Sequence, residues 1–407
     1  MHALRDTHHS RNLGTSRNNM SKRKIILSII LLVLSYLFYW TYEPFSLNPF
    51  SKKPISYSKN ENNLDCKELN EYHFKADSIL NSAIKQNDFL GISTGVLSEK
   101  CGSWVSTAGF LNKRSQEKPN KSSQFRIASV SKPMTAIAIL QLYEKGEIDL
   151  DVPIQNYLSE FPKKEKGDIT IRQLLNHTSG ISYYQSNFES VHFTRYENCI
   201  EAIDKFKNRE LVHNPGSEFL YSSYGYTLLG AIIEKVSGMS YQKYMLENIW
   251  YPAKMENTDI EDSNVEYENK ADVYIKLGSS FYRFPQNDLS HTYSGGGIQS
   301  TAEDMLKFGK AILNYELINR KTTEMMIQLS NENNNKEYVL GWDSWVTPEQ
   351  GKVIQHNGKQ IGCSSFFRIF FDKKVVVATL ANNMNSREEV RDLSIKLSYL
   401  MLNMENN

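Results

Sequence analysis

Cysteine is scarce in this 407-residue chain: Cys66, Cys101, Cys199 and Cys363 are the whole set, with no Cys-x-x-Cys spacing. That argues against a zinc module or a dithiol redox site, and the spacings fix no disulfide pairing. A surplus of one charge is also missing. Forty-seven lysines and arginines face 46 acids, for a net charge of +1, and no basic block follows the first 60 residues. A nucleic-acid partner or an acidic ligand is therefore not indicated. No internal repeat is apparent. The one glycine cluster, Gly295-Gly-Gly297, has no Gly-x-x-x-x-Gly-Lys around it, so close packing is expected there rather than phosphate binding.

One long apolar run stands out, Ile25 to Trp40, directly after Lys22-Arg23-Lys24. With Thr41 and Tyr42 it reaches the lower limit of a membrane span, about 17–25 residues. The flanking cations and the Tyr39/Trp40/Tyr42 belt predict an uncleaved transmembrane anchor at 25–42, with a basic tail, 1–24, in the cytoplasm. A cleaved signal peptide is the rival, but Glu43-Pro-Phe-Ser lacks a small-x-small site. A basic leader with Asp6 as its one acid also fits a mitochondrial presequence. The expected location is outside the cytoplasm: the periplasmic side in a bacterium, the mitochondrial intermembrane space in a eukaryote. Residues 43–67, rich in Ser, Lys, Asn and Pro, read as a linker to a domain at 68–405.

Within that domain, Leu69, Tyr72, Ala76, Ile79, Leu80 and Ala83 predict an amphipathic helix over 67–86. Two strands follow, near 91–97 and 104–110. The first contains Gly91-Ile-Ser93-Thr-Gly95, the spelling of a nucleophile elbow, yet a strand runs on where that elbow needs a helix. Residues 147–320 read as mostly helical and loop-rich, and a β-rich stretch begins at 338–345. Strong strands at 364–371 and 375–380 suit an antiparallel hairpin, and a helix at about 387–403 closes the pattern. Strands at both ends with helices between predict an α+β fold: one antiparallel sheet built from N- and C-terminal segments flanked by helices, plus a mostly helical lobe.

The organising stretch is Phe125-Arg-Ile-Ala-Ser129-Val-Ser-Lys132-Pro-Met-Thr-Ala-Ile-Ala-Ile-Leu140. Ser-x-x-Lys alone means little, since it recurs at Ser21, Ser56, Ser82, Ser115 and Ser240. Context separates Ser129: an apolar lead-in, Pro133 early in the helix, an apolar run to Tyr143, and Gly146 to stop it. A serine in a first turn meets unpaired N–H groups, and a lysine three residues on shares its face. A buried lysine loses proton affinity, and a neutral amine beside a hydroxyl is a nucleophile with its base. An ordinary helix cap with a surface lysine fits this stretch equally well.

Two further stretches complete a pattern: Pro215 to Gly230, with Tyr221-Ser222-Ser223 just before a helix, and Gln355-His356-Asn357-Gly358-Lys359-Gln-Ile-Gly362. Together with Ser129-x-x-Lys132 they resemble the Ser-x-x-Lys, Tyr-x-Asn and Lys-Thr-Gly elements of the serine β-lactamase and penicillin-binding-protein family. The branch they are most similar to is the class C β-lactamase-related one. Asn176-His177-Thr-Ser-Gly-Ile181, Ser294 to Ser300 and Leu340-Gly-Trp342 look like its recurrent phrases. The resemblance covers about residues 68–400 and implies a β-lactamase/DD-peptidase-like fold.

The resemblance implies an acylated nucleophile at Ser129, a base at Lys132 and proton transfer by Tyr221, whose phenol would need cations to lower its pKa from about 10. It also implies an oxyanion hole from the backbone N–H groups of Ser129 and Lys359, with Ser223, His356, Asn357 and Gly358 lining the substrate site. No metal or organic cofactor is implied. Two departures stand out. Ser223 replaces the asparagine of Tyr-x-Asn, and His356 replaces the lysine of Lys-Thr-Gly; a histidine is mostly uncharged at neutral pH and would grip a carboxylate less firmly. His177 is expected to be structural, and Tyr226 and Trp342 to be core or pocket wall. The resulting expectation is a membrane-anchored serine hydrolase cleaving an amide or ester of a small molecule or peptide. A weakly active scaffold, a true β-lactamase or DD-carboxypeptidase, and an α/β-hydrolase using Ser93 are the alternatives.

Overall fold

Every residue of Cys363–Phe370 and Val375–Ala381 is buried, which an antiparallel strand achieves only when both faces of its sheet are covered. The computed structural model describes residues 22–41, 68–185, 189, 191, 193–329 and 336–405. Seven strands form the main sheet: β1 Gly91–Ser98, β2 Gly102–Gly109, β3 Lys336–Val339, β4 Trp342–Thr347, β5 Gly351–Gln360, β6 Cys363–Phe370 and β7 Val375–Ala381. Their order is β2-β1-β7-β6-β5-β4-β3. All neighbours run antiparallel, so the two ends of the domain meet where β1 pairs with β7.

Side chains alternate between two cores along these strands. Val375, Val377, Phe366 and Phe370 pack with Tyr72, Leu80 and Leu397 of helices α2 (Glu68–Lys85) and α6 (Arg387–Glu405). Val376, Ala378, Phe367 and Ile369 face the other core, shared with α3 (Ser131–Glu144), α4 (Ser223–Ser237) and α5 (Ala302–Leu313). Helix α3 is apolar all round because it is surrounded: from Ser131 to Leu142 only Gln141 is not fully buried. Each of Ile137, Ile139, Leu140 and Leu142 contributes about 1.5–3 kcal/mol by leaving water. Gly146 at φ +71° ends the helix, as its sequence position predicts.

Ser93 lies inside β1, fully buried and paired with Thr107 on one side and Leu380 on the other. No strand-to-helix turn forms there, so the elbow spelling is incidental. Two features go beyond the sequence reading. The stretch expected to be helical and loop-rich also contains short strands, among them Ile298–Ser300, which pairs with Phe125–Arg126 and with Asp259–Ile260. The β-rich stretch at 338–345 folds back on itself at Leu340 and Gly341, both at positive φ, as a two-residue hairpin turn demands.

The chain divides into two units, Met1–Pro44 and Phe45–Asn407. In the first, the apolar run forms helix α1, Lys22–Thr41, with the side chains of Ile26 to Leu34 exposed. Among the described residues no helix is long and apolar enough to cross a membrane, so the described part of α1 does not carry the span expected at 25–42. Residues 1–21 and 42–67, which hold most of the expected tail and linker, lie outside the described residues.

Candidate active site

The short strand Phe125–Arg126 is fixed by pairing with Gln299 and Ser300, and the chain then turns sharply. Ala128 takes φ +48°, a left-handed conformation that disfavours side chains, and opens a single 3₁₀ turn, Ala128–Val130, that runs into α3. Ser129 is the half-buried member of this turn; its neighbours Ala128 and Val130 are buried. Strand β5 presses against the turn at Gly358, where a Cβ would come 2.4 Å from the Ile127 carbonyl and 2.1 Å from Ser365 Oγ. Ser365 in turn donates its hydroxyl to the Ile127 carbonyl at 2.7 Å. The nucleophile turn and the strand of the third motif are thereby held in van der Waals contact.

Lys132, one helical turn on, is fully buried. Its Nζ is 3.1 Å from Ser129 Oγ, 3.2 Å from Ser223 Oγ and 2.6 Å from the Gly295 carbonyl oxygen. Burial brings its pKa down from 10.5 to about 7. A neutral amine donates to the Gly295 carbonyl and to Ser223 Oγ, which leaves its lone pair for the Ser129 hydroxyl. The same Nζ lies 4.9 Å from the centre of the Tyr221 ring and 5.5 Å from that of Tyr226.

Tyr221 precedes the α4 cap, where Ser222 Oγ accepts the Gly225 N–H at 3.2 Å. Its hydroxyl bonds Ser129, yet burial pushes its pKa well above 10, with that bond opposing and the neighbouring tyrosines adding to the rise. The cation-lowered phenol that the sequence reading required is absent: Lys132 is close, but desolvation wins. Ser223, the replacement for the motif asparagine, keeps the contact with Lys132 through its hydroxyl.

His356 is buried on β5 and held neutral, its pKa lowered to about 3 by burial first and by nearby Lys132 second. Its Nδ1 lies 2.8 Å from the Asn357 carbonyl, which only accepts, so Nδ1 carries the proton. Nε2 then accepts the Tyr338 hydroxyl at 3.0 Å. Past Gln355 the β5 edge has no β4 partner. Gln360 and Cys363 close the two-residue hairpin, so the ladder's alternation turns the Lys359 N–H to that open edge.

Two cavities meet at Ser129. One, of about 460 Å³, is lined by Arg126, Tyr183, Tyr184, Asn287, Gln360 and Met384 among others. The other, of about 380 Å³, is lined by Phe219, Tyr221, Tyr338, His356, Asn357 and Gly358 among others. Ser129, Tyr183 and Lys359 border both. All eight sequence-predicted site residues are thus gathered around one centre. Sequence reasoning missed Tyr338, Tyr183 and the Gly295 carbonyl. The glycine cluster was the available signal for the last of these, because a Cβ on Gly295 would lie 3.1 Å from the Ser223 carbonyl oxygen. Among the described residues no group of three or more His, Cys, Asp or Glu is placed to hold a metal ion.

The beta-lactamase family profile matches residues 76–399. Human serine beta-lactamase-like protein LACTB, mitochondrial, is 31% identical over 291 residues, covering 55% of this chain and 53% of that protein. Penicillin-binding protein 4* of Bacillus subtilis (strain 168) is 29% identical over 295 residues, covering 67% of this chain and 64% of that protein. The chain thus spans about half to two thirds of the length of the curated relatives it matches. Among solved structures, a D-stereospecific amidohydrolase from Streptomyces sp. superposes with a TM-score of 0.66 at 25% identity, covering 79% of this chain and 98% of that one. The fold, the site and these relatives agree: the chain belongs to the beta-lactamase family of serine hydrolases.

Proposed function

We propose that the chain hydrolyses an amide or ester through an acyl-enzyme on Ser129, with Lys132 as base. The observation that carries this reading is the buried amine 3.1 Å from Ser129 Oγ, at a pKa of about 7 that leaves about half of it free to take a proton at neutral pH. Ser129 Oγ attacks the substrate carbonyl carbon while its proton passes to Lys132 Nζ. The tetrahedral oxyanion is received by the backbone N–H groups of Ser129 and Lys359; one such donor is worth about 3–4 kcal/mol to a transition state. The C–N or C–O bond then breaks, and the leaving group takes the proton from Lys132 by way of the Tyr221 hydroxyl. Because burial keeps that phenol protonated, Tyr221 acts as a relay, giving one proton as it receives another, and never as a free phenolate. Water repeats the sequence on the acyl-serine and releases the acid.

The two cavities give the substrate a side on either flank of the scissile bond. With His356 uncharged and both its ring nitrogens occupied, the motif position that carries a lysine in the family offers no cation here. This supports peptidase or esterase chemistry over efficient β-lactam hydrolysis. The test is a comparison of p-nitrophenyl esters, amino-acid amides of both hands and a chromogenic cephalosporin, on wild type and on Ser129→Ala and Lys132→Met. Turnover of an ester or amide that both variants lose is expected. Cephalosporin turnover exceeding every ester and amide would overturn the substrate reading, and no turnover of any would favour a scaffold.

We also infer that residues 25–42 hold the domain at a membrane, outside the cytoplasm. The support is the sequence alone, an apolar run behind three cations. Partition of the full chain into the detergent phase of a Triton X-114 separation tests it, and recovery in the aqueous phase would sink it.

A further inference from the structure

His177 makes backbone contacts on both sides of Tyr221. Its carbonyl oxygen accepts the Leu220 N–H at 2.7 Å, and its ring Nδ1 accepts the Ser222 N–H at 3.1 Å. Between these two bonds the His177 ring lies against the Tyr221 ring, with centroids 4.3 Å apart. The residue is buried and sits at φ +58°, a backbone position it adopts at the end of the short helix Ile171–Leu175. A capping box at the other end of that helix, between Thr170 and Gln173, anchors it. The loop held in this way is short and carries three residues of the site: Tyr221, the helix cap Ser222, and Ser223 against Lys132.

We infer that His177 is a positioning residue for Tyr221, acting through Nδ1 as a hydrogen-bond acceptor and taking no part in proton transfer itself. Acceptance at Nδ1 puts the ring proton on Nε2. Among the described residues Nε2 has no hydrogen-bond partner, and the rings of Tyr338 and Tyr226 lie 4.7 and 5.1 Å from that of His177. A ring walled in by three tyrosines reaches neither cavity, which is why it is not read as a base. Burial first, and Lys132 and His356 after it, hold the imidazole well below its usual pKa, so it stays the neutral acceptor across the working range. A protonated ring would donate at both nitrogens and expel the Ser222 N–H.

This inference rests on the acyl-serine reading above. The test uses an isosteric pair in the full chain. His177→Asn places Oδ1 where Nδ1 stands and tolerates positive φ, whereas His177→Leu keeps the bulk and removes the acceptor. Burst and steady-state kinetics on an ester that wild type turns over would be read alongside intact-mass labelling by a fluorophosphonate. The expected result is that Leu lowers kcat tenfold to a hundredfold with KM within about threefold, and that Asn restores kcat to within about threefold of wild type. A Leu variant at wild-type kcat, or an Asn variant as slow as Leu, would overturn the inference. If Leu does not fold, Asn is compared with His177→Gln, whose acceptor is one methylene too far. Asn fast and Gln slow supports it; equal rates sink it. Failure of wild type to label at Ser129 would instead sink the acyl-serine reading, and so separates the two.

Discussion

Lys132 Nζ stands 3.1 Å from Ser129 Oγ, and burial is what brings its pKa to about 7. The amine serves as base only when neutral, so acylation is tied to this titration. The second-order rate of acylation should rise about tenfold per pH unit below 7 and level off about one unit above. Lys132→Met should lower it by about 10²–10⁴-fold. A pH–rate profile from 5.5 to 9 checks both, and a flat profile counts against Lys132 as base.

The same burial has a stability consequence. Between the folded pKa of about 7 and the unfolded value of 10.5, the unfolded chain binds more protons at Lys132 than the native one. Stability from this group therefore rises with pH through that window, and the full penalty is present below 7. Lys132→Met removes the desolvated amine and keeps all but the last atom of the chain, at the loss of the bonds to the Gly295 carbonyl, Ser223 and Ser129. Its melting temperature should exceed that of wild type by about 2–4 °C at pH 6 and converge with it by pH 10. A Met variant that melts lower at pH 6 would mean that the hydrogen bonds of the amine outweigh its burial.

Gly358 lets β5 touch the nucleophile turn, since a Cβ there would lie 2.4 Å from the Ile127 carbonyl oxygen. Gly358→Ala should destabilise by about 1–3 kcal/mol and also depress acylation, because the clash is with backbone beside Ser129. Gly146→Ala is the contrast. It sits at φ +71° but in open space, so the substitution should cost about 1 kcal/mol through backbone strain alone and leave acylation unchanged. Thermal melts and labelling rates on the two variants check this.

His356 accepts the Tyr338 hydroxyl and is neutral down to about pH 3. Its ring resonances should not move between pH 5 and 8 in a histidine-selective NMR titration. Tyr338→Phe removes a donor that favours the neutral ring, so the pKa of His356 should rise and carboxylate-bearing substrates should gain relative to neutral ones. A wild-type midpoint near 6.5 would show that the ring is solvated and charged at mild acidity.

Legibility in the sequence followed the range of each interaction. The Ser129–Lys132 contact spans one helical turn, so the spacing and the apolar run were enough to find it. The β1–β7 union of the two chain ends was legible because strong strands stood at both ends and helices between. The third partner of Lys132, the Gly295 carbonyl, lies 163 residues away and is a backbone atom, which no side-chain pattern records. Tyr338 was lost because the hairpin that aims it turns at Leu340-Gly341, and a leucine at φ +41° is not a turn spelling. His356 was read as uncharged from its residue type, but Tyr338 and the Asn357 carbonyl, which tie both ring nitrogens, come from the fold. For Tyr221 the sequence reading named cations as the condition for a lowered pKa; the desolvation that raises it instead comes from the packing of the fold.

The most direct test of the account is intact mass after reaction of the full chain with a fluorophosphonate, for wild type and Ser129→Ala. The account predicts one stoichiometric adduct on wild type and none on the variant. An adduct that survives in the variant, or a folded wild type that takes none, would contradict it.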